Sequence, residues 1–189
     1  MSDSPAPEQA LRHKPEQVTR IDDVGEFLVH ALELEHESTA HYDQLADSML
    51  VHHNQEVAAL FQRLAQLSAE HAAEITKRAV GIELPEIAPC EFKWNCPGSP
   101  ESSDCLETDV TYQMTARQAL ELALHNEGRG QAFYAEVAAA SGDARVHRLA
   151  GEMAREEEAH VSLLVDLLRR EPGDGATAAE DLDPPHMPE

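Results

Sequence analysis

The residues of greatest chemical interest are Glu157 and His160, in the segment GEMAREEEAHVSLL. Side chains three residues apart lie side by side on a helix, so this carboxylate and imidazole can bind one cation or two neighbouring cations. Met153 and Leu164 share their face, which places the pair on an apolar stripe. A carboxylate on such a stripe is tolerated chiefly where a cation or a hydrogen-bond donor meets it. An isolated Glu-x-x-His pair is usually solvated, so a metal site here requires further ligands.

Three further residues have the same character. Glu35 and Glu127 each interrupt the apolar stripe of their own segment, and His71 lies between Leu64 and Ile75 on another. A single core histidine is more often a hydrogen-bonded packing residue than a ligand. Together, however, these positions bring three carboxylates and two imidazoles towards one interior, which predicts a metal site.

The chain also contains an internal repeat. Two positions recur after 92 residues and a third recurs after 89, which predicts two copies of one unit related by an approximate twofold axis. A site between the copies would take matched ligands from each. The recurring pairs are Glu35 and Glu127, Tyr42 and Tyr134, and His71 and His160.

Four amphipathic helices account for the spacing of apolar residues, at about 22–51, 54–80, 115–140 and 143–170. Asp22 or Asp23 can cap the first helix, and Thr115 with Gln118 forms a capping-box pattern for the third. Short connections join the helices into two antiparallel hairpins, and a long segment at about 81–114 joins the hairpins. The predicted fold is therefore all-α, a four-helix bundle with one long crossover loop.

Composition limits the remaining possibilities. The 36 acidic residues outnumber the 14 basic residues, giving a formal charge of −22, which disfavours nucleic acid and anionic membranes as partners. Neither a secretory signal nor a long apolar segment is evident, so a cytoplasmic location is predicted. Residues 1–21 and 171–189 are predicted to be disordered tails around a bundle at 22–170.

The crossover contains all three cysteines and the single tryptophan. Cys90, Cys96 and Cys105 fit no common metal-binding spacing, so we expect them to be thiols in a reducing compartment. Trp94 is expected to pin the crossover onto the bundle.

The segments ALELEHESTAHYDQLA, LAQLSAEHAAEI, ALELALHNEGRGQAFYAEVA and MAREEEAHVSLL resemble the four helices of the ferritin-like superfamily, nearest to rubrerythrin-type diiron domains. The resemblance covers about residues 22–170. It implies a site for two irons, although one iron, or manganese, is also compatible with these donors. Tyr42 and Tyr134 match inward tyrosines beside the ligands, and reading them as core aromatics is equally good. The implied metal ligands are Glu35, His71, Glu127, Glu157 and His160.

Two departures from the family pattern bear on function. Ser68 stands where the second helix of the family supplies a bridging Glu, three residues before His71. The two C-x-x-C motifs of a rubredoxin domain are absent from the sequence, so an enzyme of this kind would take electrons from a separate donor.

The sequence therefore predicts a diiron oxidoreductase, acting as a ferroxidase or reducing peroxide or dioxygen. Glu157 would bridge the metals, Glu35 and Glu127 would be terminal ligands, and the resemblance implies a homodimer. One alternative is an iron-binding or delivery protein without turnover. Another is a structural bundle whose metal site has decayed, as Ser68 suggests.

Overall fold

Four helices make up most of the part of the chain that the computed structural model describes, residues 19–93 and 113–171. They are α1 (Val24–Val51), α2 (Gln55–Arg78), α3 (Ala116–Ala140) and α4 (Ala144–Arg170), with a short 3-10 helix at Pro89–Glu91. Residues 19–93 and 113–171 contain no strand. The predicted all-α four-helix bundle is confirmed, and each predicted helix boundary lies within about two residues of the observed one.

Side-chain caps fix where the four α-helices begin, with Asn54 accepting a hydrogen bond from the Val57 backbone N–H at the start of α2. The Asp23 carboxylate accepts a hydrogen bond from the Glu26 backbone N–H at 2.8 Å, and Asp143 accepts one from Arg145 at the start of α4, also at 2.8 Å. At the start of α3, Thr115 and the Gln118 side chain form the predicted capping box. Each cap satisfies backbone N–H groups that have no partner within the helix.

Two hydrogen bonds between chain segments show how the hairpins are arranged. The Asn54 amide, in the turn between α1 and α2, donates to the Met114 carbonyl at 2.6 Å. At the other end of the bundle, the Gly142 backbone N–H donates to Asp22 at 2.6 Å. α2 therefore ends near the start of α1, whereas α3 begins beside the α1–α2 turn, so the two helix ends that the connection joins lie at opposite ends of the bundle.

The apolar core is divided into two clusters. One lies towards the α1–α2 turn and includes Tyr42, Phe61 and Leu164; the other lies towards the opposite end and includes Phe27 and Val146. In every helix, the segment between the two clusters carries buried polar residues instead. The bundle therefore holds a polar layer sealed above and below by apolar packing. Its buried members are Glu35, Ser38, His41, Ser68, Asn126, Glu127 and Glu157, and it also includes the partly exposed His71 and His160.

The packed part of the chain includes residues from the end of the predicted N-terminal tail, 1–21. Thr19 is buried and Ile21 belongs to the core. The start of the crossover lies against α1, where the Lys93 backbone N–H donates to Nε2 of the buried His30 at 3.0 Å and the Phe92 ring packs on the same imidazole.

Several sequence predictions concern residues beyond this description. Trp94, Cys96 and Cys105 lie outside the described residues, as do 1–18 and 172–189 of the predicted tails. Cys90 is an exposed free thiol. Among the described helices, none combines the length and apolar character needed to cross a membrane.

Candidate metal centre

The five predicted ligands meet in the polar layer, with each hairpin contributing to the group. His71 Nδ1 lies 3.5 Å from Glu35 Oε1 and 3.6 Å from Glu157 Oε1. His160 Nδ1 lies 3.2 Å from Glu127 Oε2 and 3.4 Å from Glu157 Oε2. Glu157 thus contacts both imidazoles, one through each oxygen, while Glu35 and Glu127 each contact one.

The two histidines form the side of the site nearest to solvent. Their rings stack in parallel, with centroids 4.8 Å apart and planes inclined by 7°. Their side chains are 22% and 20% exposed, whereas the Glu35, Glu127 and Glu157 side chains are only 4–5% exposed. Because His71 is on α2 and His160 is on α4, the site meets solvent on the face formed by those two helices.

Two tyrosines connect the hairpins through the carboxylates. The Tyr42 hydroxyl donates to Glu127 Oε1 at 3.1 Å, and the Tyr134 hydroxyl donates to Glu35 Oε1 at 3.3 Å. Both tyrosines are fully buried. Each hairpin therefore orients a carboxylate of the other, and the geometry has the twofold character that the repeat predicts.

The distances between these atoms suit a bound cation. With metal–ligand bonds of about 2.1 Å, neighbouring ligand atoms lie about 3.0 Å apart at right angles and about 3.4 Å apart at a tetrahedral angle. The four N···O distances of 3.2–3.6 Å are close to these values. His71, Glu157 and His160 can each offer a ligand atom within 4.8 Å of the others. Carboxylate oxygens with imidazole nitrogens are a donor set for iron or manganese.

Without a metal, protons balance the buried charges. Burial opposes the imidazolium of His71, but hydrogen bonds to Glu157 and Glu35 outweigh it and raise its pKa to about 10. Hydrogen bonds to Glu127 and Glu157 raise the pKa of His160 to about 9. Burial raises the pKa of Glu35, and raises that of Glu127 to about 7. A divalent cation can displace the two imidazolium protons and keep the layer electrically balanced.

The Glu157 carboxylate is the most strongly held negative charge of the layer. Burial raises its pKa, but hydrogen bonds involving His160, His71 and Glu127 prevail and lower it to about 2. A carboxylate that stays ionised between two imidazoles has the character required of a bridging ligand.

Ser68 occupies the place of the absent carboxylate. It is buried, and its hydroxyl lies 3.1 Å from that of Ser38 on α1, a residue that the sequence analysis did not identify. The signal for Ser38 was its spacing, because it follows Glu35 by three residues. Glu74, one turn beyond His71, forms ion pairs with Lys77 and Arg78 at the surface, so it does not replace the missing ligand.

Fold and site together define a ferritin-like helical bundle with a carboxylate–histidine centre. The family model described as Rubrerythrin matches residues 26–168. The chain belongs to the rubrerythrin family, and this bundle is a domain of the diiron type.

A solved structure supports this assignment. The chain is similar to an uncharacterised conserved protein from Magnetospirillum magnetotacticum, with 37% sequence identity and a TM-score of 0.62. The match covers 80% of this chain and 97% of that one. No curated protein matches this chain.

Proposed function

We propose that this protein is a diiron oxidoreductase that couples oxidation of iron to reduction of peroxide or dioxygen. The observation that carries the proposal is the convergence of three buried carboxylates and two imidazoles, with Glu157 in contact with both His71 and His160. Family membership supports iron as the metal. Such a pair of irons, when bound, supplies electrons to an oxidant by cycling between two oxidation states.

The chain's own residues have distinct roles in this proposal. Glu157 would hold both cations, and each would have one further carboxylate, Glu35 or Glu127, and one imidazole. The tyrosine hydroxyls donate to those terminal carboxylates and so fix their orientation. On Glu127 the tyrosine and the imidazole contact different oxygens, whereas on Glu35 both contact Oε1. The apolar clusters on either side exclude bulk water and so strengthen every charge interaction within the layer.

Access is expected through the face formed by α2 and α4. There the imidazole edges are partly exposed, while the carboxylates behind them are buried. A small oxidant or a cation can therefore reach the centre without unfolding a helix. Electrons would come from a separate donor, as the sequence predicts.

Metal analysis tests the proposal most directly. We expect about two irons per wild-type chain purified without chelator, and a loss of most of that iron in His160→Ala. His36→Ala is the matched control, because His36 is an exposed histidine adjacent to a predicted ligand, and it should retain wild-type metal. The loaded wild type should consume peroxide or dioxygen as ferrous iron is oxidised.

The two alternatives give different results in the same experiment. Iron bound without oxidant consumption would indicate a binding or delivery protein. Absence of iron from the wild type, with normal folding, would indicate a structural bundle, and iron recovered in Ser68→Glu would identify the lost carboxylate as the cause. The homodimer and the cytoplasmic location remain predictions, and light scattering of the purified chain tests the first.

A further inference from the structure

Ser38 and Ser68 form a hydroxyl pair beside the metal ligands. Their oxygen atoms are 3.1 Å apart, Ser38 is fully buried and Ser68 is 6% exposed. Ser38 follows Glu35 by one helical turn, and Ser68 precedes His71 by one turn on the antiparallel partner helix. The hydroxyl pair therefore lies directly next to the Glu35–His71 contact, in the seam between α1 and α2.

The second hairpin shows what this position holds in the other half of the site. The 92-residue repeat relates Ser38 to Gly130, and the 89-residue repeat relates Ser68 to Glu157. Gly130 has no side chain, and the Glu157 carboxylate contacts both histidines. In the first hairpin, two short neutral side chains replace this combination of glycine and carboxylate.

This replacement changes the charge of a loaded centre. Two divalent cations bring four positive charges to the layer, whereas Glu35, Glu127 and Glu157 bring three negative charges. A second bridging carboxylate would have cancelled the remaining charge. An uncompensated charge in a buried layer is costly, so the loaded centre favours one additional monoanion.

We propose that the Ser38–Ser68 pair binds a small exogenous carboxylate, of the size of formate, which bridges the two metals in place of the absent glutamate. This inference rests on the proposed diiron function. The hydroxyls would serve as positioning groups that donate hydrogen bonds to the anion, and the metals would hold its oxygens.

The hydrogen bonds of the serines are compatible with that role. The Ser68 hydroxyl donates to the Leu64 carbonyl at 3.3 Å, which is a long bond to an acceptor within its own helix. The hydroxyl hydrogens can therefore turn towards an arriving anion at little cost. A hydrogen bond to a charged acceptor is stronger than the neutral contact it replaces.

Calorimetric titration of sodium formate into zinc-loaded protein tests the proposal without any catalytic turnover. Two zinc ions can take the places of the two divalent irons, and zinc undergoes no redox chemistry. We expect one formate per wild-type chain, and about tenfold to hundredfold weaker binding in Ser38→Ala and Ser68→Ala. Thr76→Ala is the matched control, because the Thr76 hydroxyl, also on α2, donates to the Ala72 carbonyl within the helix. Its replacement should leave the formate affinity unchanged.

Ser68→Glu gives the complementary result. The new carboxylate should occupy the bridging position, so this variant should retain two zinc ions and lose formate binding. Wild-type protein that holds two zinc ions but takes no formate would overturn this inference and leave the proposed function intact. The same holds if both alanine variants bind formate as tightly as the wild type. Failure of the wild type to bind zinc or iron would overturn the two proposals together.

Discussion

Replacing Glu157 by Gln removes a buried charge that contacts both histidines while preserving the shape of the side chain. In the metal-free protein, the Glu157 oxygens lie 3.6 Å from His71 Nδ1 and 3.4 Å from His160 Nδ1. Opposite charges about 4 Å apart interact by about 4 kcal/mol where the effective dielectric constant is about 20. Each imidazole keeps another carboxylate partner and is about one-fifth exposed, which reduces the loss.

We therefore expect Glu157→Gln to lower the free energy of unfolding of the metal-free protein by about 3 kcal/mol, at the low end of the range for broken buried ion pairs. For a chain of this size, that loss corresponds to a fall in Tm of about 6–12 °C. Thermal unfolding followed by far-ultraviolet circular dichroism, after removal of metal with a chelator, measures the change.

Glu158→Gln is the matched control. Glu158 is adjacent in sequence but exposed, so its replacement should leave the Tm unchanged. The iron content of Glu157→Gln should also fall well below that of the control. If Glu157→Gln unfolds at the wild-type temperature and still binds two irons, the assignment of Glu157 as the central charge of the layer is wrong.

Three further predictions concern the ionisation, orientation and framework of the site. The pKa values of His71 and His160 are raised, so these groups stabilise the metal-free protein fully below about pH 6.5. This stabilisation is lost as pH rises through about 9 for His160 and about 10 for His71. Urea unfolding across this range should show the free energy of unfolding falling with pH. In the iron-loaded protein, the free energy of unfolding should instead rise with pH between pH 6 and 8, because metal binding releases these protons. Tyr42→Phe and Tyr134→Phe each remove one hydroxyl donor from a buried carboxylate, so each should cost about 1–3 kcal/mol in urea unfolding. Asp23→Ala removes the cap of α1 and should lower stability by about 1 kcal/mol in thermal unfolding while leaving iron content unchanged.

The fold could be predicted from the sequence because its signals are local. Apolar spacing located the helices, and cap residues such as Asp23 and Thr115 marked their starts. The convergence of the five candidate ligands was also predictable, because a carboxylate or imidazole on an apolar stripe needs a buried partner. The internal repeat then indicated that both hairpins contribute matched residues to one site.

Other features depend on contacts between segments that are distant in sequence. Ser38 is an ordinary helix residue until α2 brings Ser68 within hydrogen-bond distance. The burial of Ile21 results from the packing of the chain before α1 against the apolar cluster that includes Phe27 and Val146, which no local pattern indicates. The same is true of His30, whose imidazole is fixed by Lys93 from the start of the crossover.

The tyrosine hydrogen bonds that each hairpin makes to the other affect how the site can change during evolution. If two identical, unlinked hairpins formed such a bundle, any replacement would appear in both halves and remove both bridging carboxylates together. Joining the hairpins in one chain makes the halves independent. One half can keep Gly130 and Glu157 while the other has Ser38 and Ser68, and the shared layer remains assembled through Tyr42 and Tyr134. Covalent linkage thus allows a symmetric framework to hold a chemically asymmetric centre.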